Sequence, residues 1–319
     1  MKITVPSFIL VSVTLLSIQA SSTGALLVYE GYDYALSSGN TMAGTTTNAT
    51  GLTGDYGVAG GGTGSSTYLS TGLSFGGNFL AACGGAVRLS CAAGANNSSI
   101  LGVSLDVAGG AQSGTLWNSY LVNFEAKQTS IVATTGQGRV SDSKTAGANN
   151  RFISFADSLS SLSPGIIYTG ATPSNSLTNL NASTTYLILS SYTNVGTALS
   201  GTNSGVANLW VFDVAAYQSW LFAGGSETSL GNYALGSAMT AATTSGTFNF
   251  GTGTDFFQFA VSSSTGSTVQ TVVYDELRWG NSLSDVVNVP EPSTTLIGLA
   301  GCMLLIRRRR PIGPYGHNL

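Results

Sequence analysis

The sequence predicts an all-β fold, an antiparallel two-sheet jelly roll or β-sandwich, flanked by an N-terminal signal peptide and a short C-terminal hydrophobic helix. Helical periodicity is nearly absent between the two ends, and short apolar or alternating runs recur there, separated by Gly, Ser, Thr and Asn. Of the 319 residues, 43% are hydrophobic and only 8% are charged. These proportions allow a sizeable core beneath a surface of uncharged polar side chains.

Residues 1–25 have the three parts of a secretory signal peptide. Lys2 supplies the basic region, an apolar stretch runs from about residue 5 to residue 18, and small residues allow cleavage after Ala20 or Ala25. A transmembrane anchor is the alternative. The apolar run is shorter than the ~20 residues that a spanning helix needs, which favours a cleaved signal.

The body contains about ten predicted strands, a number typical of a two-sheet sandwich or jelly roll. Segment 206–214 is apolar on both faces, as a central strand would be, whereas segment 34–67 is predicted to be a long loop or an irregular edge. In the last strand, alternation places Asp275 on the same apolar face as Trp279, where a carboxylate is costly without partners. The predicted strands are 26–32, 86–92, 100–107, 116–125, 151–156, 185–192, 206–214, 247–250, 255–261 and 268–279.

The C-terminal segment 288–319 has three parts followed by a tail at 311–319. An apolar run at 294–306 can begin as a helix at a proline, and the basic residues after it are costly to translocate. At ~1.5 Å per residue the apolar run is about 20 Å long, less than the ~30 Å of a bilayer core, so it predicts a transient association with the inner membrane. The motif before it is Val289, Pro290, Glu291, Pro292 and Ser293, and the basic cluster after it is Arg307, Arg308, Arg309 and Arg310.

This order of motif, apolar run and arginines resembles the PEP-CTERM sorting signal of Gram-negative bacteria. The resemblance implies export across the inner membrane, processing by an exosortase and a bacterium that produces exopolysaccharide. It also implies a final location at the cell surface, in the outer envelope or in the extracellular matrix. An ordinary tail anchor with a positive-inside flank is the alternative.

Two short motifs resemble the ends of exported proteins with a concanavalin A-like (laminin-G-like) jelly roll. The first is Val-Tyr-Glu-Gly-Tyr-Asp-Tyr at 28–34, and the second is Tyr-Asp-Glu-Leu-Arg-Trp-Gly at 274–280, continued by Ser-Asp-Val at 284–286. The resemblance implies one domain over residues 26–287, with its first and last strands close together.

Charge and histidine content exclude several functions. Of the 11 Lys and Arg, Lys2 and the four clustered arginines lie in the end segments, which leaves six in an acidic body. Phosphate binding needs clustered basic residues, so nucleic acid is not expected as a partner. The only histidine is His317, so a protein without its tail has none for Ser-His-Asp or Cys-His catalysis or for a metal site.

Four carboxylates near the ends of the body are the candidate catalytic or metal-binding groups: Glu30, Asp33, Asp275 and Glu276. A jelly-roll glycoside hydrolase needs two carboxylates on one face, and both of these pairs are predicted to point in opposite directions. No catalytic residue is therefore assigned. The four would form a calcium site if the terminal strands pair and their oxygens converge. Alternatively, backbone N–H groups or a tyrosine hydroxyl hold Asp275, and Glu276 pairs with Arg278.

Trp220, in a stretch at 215–230 that is predicted to be irregular, is the candidate exposed ring for stacking on a sugar. The alternative is that all four tryptophans belong to the core. Cys83 and Cys91 are candidates for a disulfide in an oxidising compartment. An extended segment 86–91 separates its ends by roughly 17 Å, more than the about 7 Å of bridged Cα atoms, so two separate cysteines remain the alternative.

These observations predict an exported, exosortase-sorted protein of the cell surface or extracellular matrix, with a non-enzymatic, glycan-binding or adhesive body. Exopolysaccharide is the expected ligand. A secreted glycan-active hydrolase and a purely structural component of the biofilm or envelope are the alternatives.

Overall fold

The computed structural model describes residues 25–58, 64–76, 84–93, 98–127, 137–145, 148–157, 163–168, 174–176, 178–200, 203–241, 246–251, 256–262 and 269–287. Cys83, almost all of the predicted signal peptide and the whole predicted sorting segment lie outside these residues. The boundaries of the predicted domains therefore stay predictions. Within the described part of the chain, none of the helices combines the length and the apolar character needed to cross a membrane.

Seventeen strands and three short helices make up the described chain. The strands are β1 (Leu26–Glu30), β2 (Leu52–Val58), β3 (Ser65–Leu69), β4 (Ala86–Cys91), β5 (Ser98–Leu105), β6 (Gly114–Ala126), β7 (Gln137–Thr145), β8 (Ala148–Asp157), β9 (Gly165–Tyr168), β10 (Ser174–Asn175), β11 (Thr185–Val195), β12 (Ala198–Leu199), β13 (Val206–Phe212), β14 (Gly236–Ala241), β15 (Gly246–Thr247), β16 (Phe256–Ser262) and β17 (Gln270–Gly280). The helices are α1 (Val214–Phe222), α2 (Leu230–Tyr233) and α3 (Leu283–Val286), with a 3₁₀ turn at Glu227–Ser229.

Two antiparallel sheets form the sandwich. Sheet I has the order β14-β13-β11-β6-β17-β4-β3, and β1 also pairs with β17. Sheet II has the order β10-β9-β8-β7-β16-β5-β2, and β12 pairs with β15 in a separate small ladder. The predicted antiparallel two-sheet jelly roll is confirmed. The expected proximity of the first and last strands is also confirmed, because β1 and β17 are hydrogen-bonded neighbours.

Each predicted strand overlaps an observed one, but β2, β3, β7, β9, β10, β12 and β14 are not among the predicted strands. Segment 34–67 contains β2 and the start of β3, which form the outer edges of sheets II and I. The prediction of an irregular edge is right for β2, whose pairing with β5 shifts register between Thr53 and Gly57. Apolar periodicity does not reveal these two strands, because they are rich in small and polar residues and have few apolar side chains.

The sandwich has two apolar clusters on opposite faces of sheet I. Alternate residues of β6, such as Tyr120 and Val122, face sheet II and belong to the main core. Trp117 and Leu121 point to the other face, where α1 covers them with residues that include Trp220. Because β6 is covered on both sides, its burial is nearly continuous along the strand.

Helix α1 replaces the irregular stretch that the sequence predicts after β13. The predicted strand 206–214 ends at Phe212, because Asp213 caps the helix: its carboxylate accepts a hydrogen bond of 2.8 Å from the N–H of Ala216. Residues 215–230 then form α1, the 3₁₀ turn and the start of α2. The helical segment buries one face on sheet I, so the prediction of an irregular stretch is wrong.

A β-bulge in β17 changes which of its side chains face the core. The pairing with β6 shifts register between Asp275 and Arg278, and Glu276 has a φ of 50°. Tyr274 and Trp279 consequently both belong to the main core, although an unbroken alternation would place them on opposite faces. The predicted shared face of Asp275 and Trp279 is therefore wrong.

Candidate functional site

Two strands share one edge of β17 and leave a gap between them. β4 pairs with residues 270–274 of β17, and β1 pairs with residues 277–280. The bulge lies at this gap, and three carboxylates of this region are buried: Glu30 and Asp275 have an exposed fraction of 0%, and Glu276 of 2%. Buried carboxylates are uncommon without partners, so each of the three is expected to have hydrogen-bond donors or an ion-pair partner.

Glu30 lies at the end of β1 and is held by three donors. One carboxylate oxygen accepts a hydrogen bond of 2.6 Å from the N–H of Tyr32. The other accepts hydrogen bonds from the hydroxyl groups of Tyr34, at 2.6 Å, and of Tyr56. Burial raises the pKa of Glu30 above its usual value, although these hydrogen bonds act in the opposite direction. Burial and the nearby charge of Glu30 raise the pKa of both tyrosines, which therefore remain hydrogen-bond donors.

Asp275 is held by backbone groups. Its oxygens accept hydrogen bonds from the N–H of Leu73, at 2.6 Å, and from the N–H of Glu276, at 2.7 Å. Burial, and then the charge of Glu276, raise the pKa of Asp275 to about 8. Glu276 pairs with Arg278 at 2.9 Å. The alternative that assigned Asp275 to backbone donors and Glu276 to Arg278 is confirmed.

The four predicted calcium ligands do not form one cluster. Glu30 points into the sandwich and Asp33 is exposed, as their spacing predicts. Across the described ranges, no group of three or more His, Cys, Asp or Glu side chains is arranged to hold a metal ion. The expected convergence is therefore wrong, because Glu30 and Asp275 turn their oxygens toward tyrosine and backbone donors instead.

A solvent-open pocket of about 210 Å³ lies against the outer side of the Glu30 region. Backbone hydrogen bonds of 3.1 Å in both directions join Tyr29 to Thr50 and bring the segment before β2 against β1. Asp33 and Asn48 are exposed at this pocket, and the side-chain amide of Asn48 donates a hydrogen bond of 2.7 Å to the carbonyl of Asp33. The lining residues are Tyr29, Glu30, Gly31, Asp33, Asn48, Ala49 and Thr50.

The backbone on either side of Asp33 is held tightly. Glu30 binds the N–H of Tyr32 and the hydroxyl of Tyr34, and the N–H of Gly85 donates a hydrogen bond of 2.9 Å to the carbonyl of Tyr32. Gly84, with a φ of 97°, lies against this turn, and a Cβ atom there would be 2.7 Å from the Cα of Asp33. Only glycine fits that position, because the added carbon would overlap backbone atoms.

Tyr29 lines the pocket, and contacts with β17 hold its side chain in place. The hydroxyl of Tyr29 donates a hydrogen bond of 3.3 Å to Glu276. The guanidinium of Arg278 lies 5.1 Å from the centre of the Tyr29 ring, in cation–π geometry. The sequence indicates Glu30 and Asp33 of this pocket as candidate site residues, but it does not indicate Tyr29, Asn48 and Thr50. Their pairing joins residues about twenty positions apart, and no local pattern indicates it.

Trp220 is part of the core, so the prediction that its ring is exposed is wrong. Its exposed fraction is 0%, and its indole N–H donates hydrogen bonds to the carbonyl of Ser226, at 3.0 Å, and to the hydroxyl of Ser229, at 3.1 Å. Trp117 and Trp279 are also buried, and Trp210 is half-buried and stacked on Trp117 with ring centres 5.8 Å apart. The alternative that the tryptophans belong to the core is confirmed for Trp117, Trp220 and Trp279, and Trp210 packs half-buried against the same cluster.

Cys91 is buried in β4, on the face it shares with Val87 and Leu89 in the main core. Cys83 lies outside the described residues. The disulfide between Cys83 and Cys91 therefore stays a prediction.

No protein-family model matches this chain, and no curated protein matches it either. Among solved structures, it is similar to the endo-β-1,4-glucuronan lyase of the fungus Trichoderma reesei, with 12% identity, a TM-score of 0.42, and coverage of 72% of this chain and 92% of the lyase. It is also similar to the cellulose-induced protein Cip1, with 8% identity, a TM-score of 0.38, and coverage of 70% and 88%. Peanut lectin has 11% identity and a TM-score of 0.34, with coverage of 69% of this chain and 97% of the lectin. These values assign no residue of this chain a role.

Proposed function

We propose that this protein binds glycans without turning them over, and that the pocket beside Asp33 holds one sugar unit. The observation that carries the proposal is the composition of the pocket. Asp33, Asn48, Thr50 and Tyr29 all line a volume of about 210 Å³, and their side chains carry a carboxylate, an amide, a hydroxyl and an aromatic ring. Carboxylates and amides satisfy sugar hydroxyl groups, and an aromatic ring packs against the C–H groups of a sugar face.

The size of the pocket favours a single unit of a longer chain. Pockets for drug-sized ligands have volumes of about 300–1,000 Å³, larger than this one. Because the pocket is open to solvent, a polysaccharide can place one unit in it while the neighbouring units remain outside. Such a site fits an adhesive or matrix-binding role, in which many weak contacts along one polymer add up.

The orientation of the carboxylates supports binding rather than hydrolysis. Glycoside hydrolysis requires two carboxyl groups that flank one bond, roughly 5–9 Å apart. Glu30 faces the interior and its oxygens are taken by Tyr32, Tyr34 and Tyr56. Asp275 is likewise held by backbone donors. Among the described residues that line the pocket, Asp33 alone carries an exposed carboxylate, and one carboxylate does not make an acid–base pair.

A glycan-active enzyme is the second candidate, and one observation favours it. Glu30 borders the pocket and its pKa is raised by burial, as is expected for a general acid. An assay for new reducing ends on the polysaccharides that the protein binds tests this candidate. Turnover that disappears in Glu30→Gln but persists in Glu227→Gln would establish the enzyme and overturn the non-enzymatic proposal.

The proposal for location rests on the terminal sequence motifs. We propose export through the segment 1–25 and sorting through the segment 288–319, with exosortase as the processing partner and the cell surface or matrix as the destination. Replacing Arg307, Arg308, Arg309 and Arg310 by serine removes the charge that holds the tail in the cytoplasm. Mass spectrometry of the mature wild-type protein should show that both end segments have been removed. The serine variant should retain its tail. A wild-type protein that keeps both segments at the cell surface would contradict this proposal.

The first test is binding of the purified full-length protein to a panel of bacterial and plant polysaccharides. We expect saturable binding to one class, unchanged by a chelator. Asn48→Ala removes one polar group of the pocket and the hydrogen bond to Asp33, and should weaken binding about tenfold. Asn40→Ala is the matched control, since Asn40 is exposed in the same segment and does not line the pocket.

Two outcomes would decide against this site or this function. Equal binding by the two asparagine variants would place the glycan elsewhere on the protein. Absence of binding to every polysaccharide, from a protein with a cooperative unfolding transition, would favour a structural component of the matrix.

A further inference from the structure

Asp33 combines a fixed backbone with an unpartnered charge. Hydrogen bonds from Tyr32 and Tyr34 to Glu30 hold the turn that carries Asp33. Asn48 donates a further hydrogen bond to the backbone carbonyl of Asp33, and Gly84 packs closely against the turn. The carboxylate of Asp33 itself makes no hydrogen bond or ion pair with any part of the chain that the structure describes. A carboxylate in such a position is available to a ligand at a defined place, with little ordering cost on binding.

The pocket is acidic. Among the described residues that line it, Asp33 carries an exposed carboxylate, Glu30 turns its carboxylate toward the interior, and none is Lys or Arg. The nearby guanidinium of Arg278 lies against the Tyr29 ring and pairs with Glu276. The whole body has the same sign of charge: of the 14 acidic residues only Glu291 lies beyond residue 287, whereas six basic residues lie in the body. An anionic sugar would therefore meet repulsion both locally and from the protein as a whole.

From these observations we infer that the sugar unit held in this pocket carries a free amino group, whose ammonium pairs with the carboxylate of Asp33. The inference rests on the proposed glycan binding and names its ligand class: de-N-acetylated amino sugars in a polysaccharide. In this arrangement the ammonium lies at the mouth beside Asp33. The Tyr29 ring and the Thr50 and Asn48 side chains contact the rest of the sugar. Uronic acids are disfavoured by charge, and neutral sugars lose the ion pair.

The test compares matched oligosaccharides at pH 6, where an alkylammonium group is charged. Glucosamine and galactosamine hexamers are compared with their N-acetylated forms and with a galacturonate hexamer, by isothermal titration on the full-length protein. We expect one aminated hexamer to bind about fivefold more tightly than its acetylated form, the gain of one solvent-exposed ion pair. The preference should shrink as salt is raised from about 0.05 to 0.5 M, because ions screen exposed pairs.

Two variants locate the effect. Asp33→Asn keeps the shape of the side chain and removes its charge, so the preference for the aminated hexamer should fall to nearly onefold while binding of the acetylated form is retained. Glu227→Gln removes the same charge from an exposed residue of the 3₁₀ turn, far along the chain from the pocket, and should leave the preference unchanged.

Each other outcome overturns a stated part of the argument. Glycan binding that depends on Asn48 but shows no preference for an amine, or favours galacturonate, overturns the inference and leaves the proposed function standing. Equal loss of preference in Glu227→Gln, or equal binding of a lysine hexamer, overturns it by reducing the effect to general charge attraction. No binding of any hexamer or polysaccharide overturns both the inference and the proposed function.

Discussion

Two regions of sheet I bury their side chains for different reasons. On the helix-covered face, Trp220 and Phe212 pack in an apolar cluster, and burial itself stabilises the fold. At the gap between β1 and β4, Glu30 and Asp275 are buried as completely, but burial penalises them and hydrogen bonds offset the penalty. Complete burial therefore does not identify a role. The costly region is the one that borders the pocket and holds the turn of Asp33.

The largest effect on stability is expected when apolar contacts are removed from the helix-covered face. Trp220→Ala leaves a cavity beneath α1 and should lower the free energy of unfolding by about 3–5 kcal/mol, as measured by urea denaturation. Phe222→Ala on the same helix is the control, because Phe222 is 81% exposed and its loss should change stability by less than about 0.5 kcal/mol. Folded Trp220→Ala should bind glycans normally. Loss of glycan binding without loss of stability would indicate that Trp220 belongs to the ligand site.

Glu30 should connect stability to binding. Glu30→Ala leaves the N–H of Tyr32 and two tyrosine hydroxyls without their acceptor and should cost about 3 kcal/mol of unfolding free energy. Glu30→Gln keeps one acceptor oxygen and should cost about half of that. Both variants should weaken glycan binding, because the turn that carries Asp33 loses its anchor. A stable Glu30→Ala protein with unchanged affinity would show that the hydrogen bonds to Glu30 are dispensable.

The buried carboxylates make a prediction about pH. The folded-state pKa of Asp275, about 8, lies above its unfolded value of 3.8, so folding favours the protonated form. Its contribution to stability is then fully present below pH 4 and is lost as the pH rises to about 8, by up to roughly 1.4 kcal/mol per pH unit. The raised pKa of Glu30 acts in the same direction.

Denaturant titrations at several pH values between 4 and 9 measure this dependence. Asp275→Asn should flatten the slope, and Asp213→Asn, which changes the cap of α1, should leave it in place. A wild-type protein that becomes more stable from pH 5 to pH 8 would contradict the assignment of Asp275.

The smallest effect on stability is expected from a substitution of Asp33, three residues from Glu30. Asp33→Asn should change the free energy of unfolding by less than about 0.5 kcal/mol, since the exposed carboxylate has no partner in the described structure. Thermal unfolding of Glu30→Gln and Asp33→Asn side by side measures the contrast. A large loss of stability in Asp33→Asn would mean that its carboxylate supports the turn rather than awaiting a ligand.

The ease of prediction differs along the chain in a physically clear way. The strands that carry alternating or continuous apolar side chains, such as β6 and β13, are evident from their pattern, because burial on one or both faces determines that pattern. The strands β2 and β3 are not, because edge strands with few apolar residues depend on backbone pairing with partners far along the chain. Helix α1 was missed because tertiary packing, rather than a strong amphipathic period, decides its structure.

The sequence by itself determined the fold class and the opposite orientations of Glu30 and Asp33. These follow from local periodicity and composition. Only the tertiary structure decided which side chains meet. It placed the bulge at Glu276, which reverses the faces of β17. It also buried Trp220 between α1 and sheet I, and it paired Tyr29 with Thr50 beside the pocket. Those outcomes depend on contacts between distant segments, whose free energies are set by packing and hydrogen bonding rather than by any local pattern.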